Sequence, residues 1–149
     1  MYSASDIAKI IICWCNYYKI SITNLKLQKL LYFVQGEFFK LRGARLISDD
    51  FYAWQLGPVV PNVYYEYAIY SSAPIPGLQN YNSPIPRENY EDYAAIDWVL
   101  KKYAKRATWE LVDLSHLQDP WKYNHQIFGD KALIPFDDIA KYFREEQQS

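Results

Sequence analysis

The segment from Asn24 to Arg42, NLKLQKLLYFVQGEFFKLR, constrains this fold more than any other. On a helix, Leu27, Leu30, Leu31, Val34, Phe38 and Leu41 fall within an arc of roughly 100°. Leu25, Tyr32 and Phe39, spaced by seven, form a second stripe on the far side, with Phe33 beside it. Lys26, Lys29 and Lys40 fill the narrow gap that remains and, with Arg42, read as a solvated basic edge. A helix that is apolar on two sides belongs at the centre of a domain, with neighbours on both. Each residue of the main stripe is worth roughly 1.5–3 kcal/mol if buried, against ~1–2 kcal/mol per residue for ordering the backbone. Such a helix cannot stand alone. Thr23 or Asn24 is its N-cap and Gly43 its left-handed stop.

The neighbours are legible from the same periodicity. Asp6 to Lys19 reads as a helix with Ser3 and Asp6 at capping-box spacing and Ile7, Ile10, Ile11, Trp14, Cys15 and Tyr18 on one face. Phe51 to Gln55 reads as a short strand after the Ser48-Asp49-Asp50 turn, with Leu46 and Ile47 as the other arm of a hairpin. Gly57-Pro58 is expected to break the strand. Pro61 suits the first position of a third helix, which runs to about Tyr70. Its tyrosines, Tyr64, Tyr65, Tyr67 and Tyr70, point in widely separated directions, so one packed face cannot bury them all.

Ser71 to Pro86 is a long loop with four prolines and an internal echo, Pro74-Ile75-Pro76 and Pro84-Ile85-Pro86. Connections of this length are uncommon inside a domain and are often functional. Glu91 to Ala104 reads as a fourth helix with Tyr93, Ile96, Val99, Leu100 and Tyr103 inward. Thr108 caps a fifth that ends near His116. Asp119-Pro120 reads as N-cap and first position of a sixth carrying Trp121, ending before Gly129. Phe136 to Glu146 is the last, with Ile139, Tyr142 and Phe143 inward. The expected fold is mainly α: one domain over 1–149, a helical bundle of about six or seven helices with a small two- or three-stranded antiparallel β element.

Composition narrows the function. A net charge of −1 argues against a dedicated nucleic-acid binder, which needs a basic excess for phosphate. No apolar run is long enough to span a membrane, and the N-terminus lacks the basic stretch of a signal peptide, so the expected location is the cytoplasm. Fifteen Tyr and five Trp give side chains that tolerate both water and burial, a weak pointer to protein–protein contact. A core that happens to be aromatic explains the same count equally well.

A search for chemistry finds little. Cys13 and Cys15 lie two positions apart, so on a helix their sulfurs face opposite ways and cannot grip one metal. They read as core cysteines. His116 and His125 have no metal-ligand frame around them; Asp113 or Asp119 beside His116 would lack a nucleophile to activate. His116 is better read as ordering the turn into Pro120-Trp121 by a hydrogen bond. The five glycines form no phosphate or dinucleotide loop. Lys101, Lys102, Lys105 and Arg106 read as a solvated helix edge. No cofactor and no metal is expected, and binding is favoured over catalysis.

Three stretches taken together resemble a known family. They are Leu27-Gln28-Lys29-Leu30-Leu31-Tyr32-Phe33, then Phe51-Tyr52-Ala53-Trp54 with Gly57-Pro58-Val59-Val60-Pro61-Asn62-Val63-Tyr64, then Ser115-His116, Pro120-Trp121 and Ile139-Ala140-Lys141-Tyr142-Phe143. In this combination and order the chain is similar to the Panacea-domain proteins, which include SocA-like antitoxins and many phage-associated proteins. The resemblance implies an antitoxin that neutralises a protein toxin, encoded by the adjacent gene, through direct binding. It implies as alternatives an adaptor that delivers a toxin or other client to a protease, or a phage-encoded regulator. Some relatives add a DNA-binding domain, for which there is no room before Ser5, so promoter binding is not expected. The motif residues Leu27, Gln28, Lys29, Leu30, Leu31, Tyr32, Ala53, Trp54, Gly57, Pro58, Val59, Pro61, His116, Pro120 and Trp121 read as structural. The partner-contacting candidates are the exposed aromatics Tyr64, Tyr65, Tyr67 and Tyr81.

Overall fold

Most of the other helices pack on the second one. The computed structural model describes residues 1–78 and 81–146. Among these, seven α-helices and a three-stranded sheet follow in order: α1 (Ala4–Tyr17), α2 (Asn24–Arg42), β1 (Phe51–Trp54), β2 (Gly57–Val59), α3 (Pro61–Glu66), α4 (Tyr90–Tyr103), α5 (Thr108–Leu117), α6 (Asp119–Phe128), β3 (Ala132–Ile134) and α7 (Phe136–Glu146). Single 3-10 turns stand at Ala68–Tyr70 and Arg87–Asn89. The mainly α fold with a small antiparallel sheet is as the sequence predicts.

The boundaries of α2 follow its signals. The Thr23 hydroxyl accepts the Lys26 N–H, and Gly43 stops the helix at φ 67°. Between them both apolar stripes are buried, with α1, α4, α5, α7 and β2 packed around the helix. Two residues at its ends are exceptions: Leu25 in the first turn is half-buried, and Leu41 in the last turn is exposed. Gly36 explains how α7 comes so close: a Cβ there would collide with the Phe143 ring. That ring in turn meets Tyr32 and Phe33 edge-on. Burying side chains on all sides of one helix supplies what its own backbone cannot.

The basic edge expected on α2 is overturned at two of its four positions. Lys29 is completely buried because α5 and the β1–β2 corner close over it, and Lys26 is nearly so, near Cys15 of α1. Glu37, equally buried, takes up Lys102 at 2.9 Å and Lys40 at 3.7 Å, and the Tyr103 hydroxyl at 3.4 Å. Lys102 is thus an anchor of α4 onto α2 and not merely solvated.

The sheet differs from expectation in both its arms. Leu46 and Ile47 do not pair with β1. The Gln35 side-chain oxygen accepts both of their N–H groups, and Tyr2 forms a parallel bridge with Ile47, so their backbone groups are already used. The first strand ends at Trp54, and after a turn at Gln55-Leu56 Gly57-Pro58 opens a second strand of the sheet. β2 pairs antiparallel with β1 in the register Tyr52↔Val59, Ala53↔Pro58 and Trp54↔Gly57. Proline is tolerated there because β2 is an edge of the order β2-β1-β3. β3 pairs with the other side of β1, Phe51↔Ile134 through Ala53↔Ala132.

Smaller differences concern individual residues. α1 runs two residues earlier at each end than predicted, with Ser3 capping the Asp6 N–H as expected and Tyr18 half-exposed beyond its end. Thr108 is inside α5, whose N-cap is Ala107, and Gln118, not Asp119, precedes α6. Tyr93 faces outward. The Pro-Ile-Pro echo has a packing reason: Ile75 and Ile85 both insert into the core, and the Ile75 N–H bonds the Ile22 carbonyl.

Candidate protein-docking surface

The turn between β1 and β2 is gripped from three helices, and the buried polar residues of α2 do much of the gripping. Gln28 uses both ends of its amide. Its oxygen accepts the Val60 N–H at 3.0 Å, and its nitrogen donates to Asn24, whose own amide reaches the Tyr64 carbonyl at 3.0 Å. One turn of α2 therefore fixes both the strand end and α3. The Lys29 ammonium donates to the Pro58 carbonyl at 2.6 Å. Tyr32 donates to the Gln118 side-chain oxygen at 2.7 Å and ties α2 to the α5–α6 junction. Gln28, Lys29 and Tyr32 are all buried, so each bond replaces water that could not reach the site.

Gly57 is required for this closeness. It lies at φ 112°, and a Cβ there would meet Lys29 Cε and Ser115 Oγ, each at 2.8 Å. Lys29 has no carboxylate partner among the described contacts, and burial pulls its pKa down to about 7.

From the other side, α5 and α6 cap the carbonyls of the turn. The Trp121 indole N–H donates to the Trp54 carbonyl at 2.8 Å, and the His116 Nε2 sits 3.1 Å from the Gln55 carbonyl. Trp121 is itself sandwiched between His116 and His125, at ring separations of 4.1 and 4.4 Å. Burial holds the His116 pKa below its usual value against the opposing pull of the Gln55 carbonyl. His116 does order its surroundings by hydrogen bonding, as expected, but its partner is the β1–β2 turn. No group of three or more His, Cys, Asp or Glu among the described residues is placed to hold a metal ion. Cys15 is buried and Cys13 half-buried; burial raises both thiols, Cys15 to about 11.

What this clamp holds up is apolar and aromatic. Gln55 and Leu56 stand exposed at the tip. Trp54, Tyr64 and Tyr65 cluster on one side, with ring separations of 5.0, 5.6 and 6.3 Å, and the Lys131 ammonium lies over Trp54. On the other side a groove of about 410 Å³ runs between α3 and the start of α5, where Leu25, Leu56, Tyr64, Ala68 and Trp109 share the lining with uncharged polar residues such as Asn24, Ser71 and Thr108. None of its lining residues is Lys, Arg, Asp or Glu. Tyr65 and Trp109 remain 64% and 60% exposed, large areas that intramolecular packing does not use. Single exposed aromatics need no explanation, but a contiguous set on a rigid support marks an interaction surface.

Of the four aromatic candidates, Tyr64 and Tyr65 lie on this surface. Tyr67 does not; it is 5% exposed and packed in the core, and burial raises its pKa to about 12. Tyr81 is half-buried elsewhere, beside α1 and α4. Leu56 and Trp109 were not singled out from the sequence. Leu56 follows Trp54 by two in a turn, which could have marked it; Trp109 carries no local signal, since only the α5–α3 approach brings it to Tyr64.

The polar clamp of α2 and the turn it holds coincide with the region of a family match. The family described as "Antitoxin SocA-like, Panacea domain" matches residues 27–122, from the first motif leucine of α2 to just past Trp121. The chain belongs to this family. A curated relative, Antitoxin SocA of Caulobacter vibrioides (strain NA1000 / CB15N), is 36% identical over 113 residues, covering 68% of this chain. The match spans 59% of that relative's own length. No solved structure matches the chain. For a SocA-like Panacea domain, the residues of the matched region thus divide into two groups. Gln28, Lys29, Tyr32, Gly57, His116 and Trp121 make the contacts that hold the β1–β2 turn and the α5–α6 junction. Leu56, Tyr65 and Trp109 are left exposed around that turn. No helix among the described residues is long and apolar enough to cross a membrane.

Proposed function

We propose that this protein is an antitoxin that neutralises a protein toxin, encoded by the neighbouring gene, by binding it directly through the surface around Leu56, Trp54, Tyr64, Tyr65 and Trp109. The observation that carries the reading is the rigidly clamped β1–β2 turn with exposed aromatics, in a chain of the SocA-like antitoxin family. A preorganised apolar surface loses little conformational freedom when it docks, and Tyr and Trp dominate interface hot spots. The absence of charge in the groove favours an apolar segment of the toxin as its occupant.

The test is co-expression with the product of the adjacent open reading frame, scored by growth and by pull-down of the tagged protein. Rescue from a toxic neighbour together with a stable complex supports neutralisation by binding. Leu56→Asp and Trp109→Ala should then abolish both rescue and complex while the protein stays folded. Rescue accompanied by disappearance of the toxin, without a stable complex, would assign the chain instead to delivery of a client to a protease. No toxicity and no partner would remove the antitoxin reading.

A further inference from the structure

A second aromatic site lies apart from the β1–β2 turn, where the C-terminal end of α1 faces α4. Trp14, Tyr17, Tyr18 and Tyr93 line a recess of about 350 Å³ with the Asp97 carboxylate at its edge. The rings are mutually tilted and not stacked flat: Trp14 and Tyr18 lie 4.4 Å apart at 43°, Tyr17 and Tyr18 5.0 Å apart at 81°. Trp14 donates its indole N–H to one Asp97 oxygen at 2.8 Å. The other oxygen holds Lys101 at 3.0 Å, in a pair whose lysine side chain is 60% exposed.

Core packing accounts for Trp14, which is buried, but not for the three tyrosines. Tyr17 is 79% exposed, and Tyr18 and Tyr93 stand out by more than two-fifths. Ring faces carry the negative side of the aromatic quadrupole, so several tilted rings around one volume favour a cation in it. Asp97 adds a full negative charge. Its partial burial pushes the carboxyl upward, but the Trp14 indole and Lys101 outweigh this and hold it below the usual carboxylate range. The recess therefore combines aromatic rings with a carboxyl whose ionised form is favoured. The lysine paired with that acid is mostly exposed, in a pair of the kind that contributes little.

We infer that this recess binds a cationic side chain presented by a partner protein, and that the chemistry fits arginine best. A guanidinium is planar, stacks on aromatic faces and is weakly hydrated, whereas an ammonium gives up its water reluctantly. In the bound state the guanidinium lies against the tyrosine rings and takes the Asp97 oxygen that Lys101 now occupies. This inference does not rest on the antitoxin reading, and its test involves no toxin.

The experiment uses the full chain labelled with nitrogen-15 and follows the Trp14 indole N–H resonance during titration with acetyl-Gly-Arg-Gly-amide. The same peptide with citrulline, uncharged but of the same shape, is the control. The arginine peptide should give a saturable shift in the millimolar range and the citrulline peptide none. Tyr17→Ala should weaken binding about fivefold, the order expected for one exposed cation–π contact, with no change in thermal midpoint because Tyr17 is mostly in water. Asp97→Asn, which keeps an acceptor for Trp14, should weaken it by at least as much. Lys101→Ala, which frees the oxygen, should tighten it. Equal shifts with citrulline, no saturable shift with arginine, or unchanged affinity in Tyr17→Ala and Asp97→Asn would each overturn the inference.

Discussion

Replacing Lys29 by methionine should stabilise the protein at neutral pH and lose that advantage as the pH rises. Lys29 is fully buried, and burial brings its pKa down to about 7. In the unfolded chain a lysine titrates near about 10.4. Between these values the unfolded state binds more protons, so stability rises with pH across that window. At about 1.4 kcal/mol per unit, the mismatch costs roughly 4 kcal/mol at pH 7 and about 2 kcal/mol at pH 9. Methionine carries no such cost but deprives the Pro58 carbonyl of its 2.6 Å donor. That loss is worth about 1–3 kcal/mol in a buried site. The variant should therefore exceed the wild type by roughly 1–3 kcal/mol at pH 7 and fall level with it near pH 9. Urea unfolding at pH 7, 8 and 9, followed by tryptophan fluorescence, measures both curves. The range stops short of tyrosine ionisation, where the raised pKa values of buried Tyr32 and Tyr67 begin to lower stability. A gap that does not change with pH, or a variant less stable at every pH, would refute the account of Lys29 as a buried amine without a counter-charge.

Tyr32→Phe removes the bond to Gln118 and leaves a buried amide oxygen short of a donor. It should cost about 1–2 kcal/mol, seen by calorimetry as a fall of about 2–8 °C in Tm. Gly57→Ala meets both a positive φ and the Lys29 and Ser115 side chains. A loss of about 2 kcal/mol or more in urea unfolding is expected, and a smaller one would mean that the turn yields easily. Tyr65→Ala should leave the unfolding midpoint unchanged, because the side chain is mostly exposed, while weakening binding of the proposed toxin by about tenfold or more in a calorimetric titration.

The legible parts of this fold are those written locally. The caps at Ser3, Thr23 and Gly43 and the proline at the start of α3 lie within a turn of the helix they delimit, and each is found in place. The two-sided apolar pattern of α2 likewise needs only the helical period. Lys29 was misread because its burial depends on the Pro58 carbonyl and on α5, distant in sequence, and no periodicity encodes an amine turned inward. β2 and β3 were missed for a related reason. Three residues carry no alternation to detect, and each strand exists only because β1 offers it an edge. The candidate surface was half visible. Tyr64 and Tyr65 announce themselves as too many aromatics for one short helix, but Tyr67 belongs to the same run and is buried. Only the direction in which α3 leaves the sheet decides which is which.

The central position of α2 also has a consequence for synthesis. Its far face is covered by α7, whose Phe143 seats on Gly36 and against Tyr32 and Phe33. Those rings belong to the first third of the chain, and their cover is made on the order of a hundred residues later. At ~5–20 residues per second, the nascent chain carries an apolar helix with one open side for roughly 5–20 s. During that interval α2 is a strip of leucine and phenylalanine without its lid, the state in which a holding chaperone would find it.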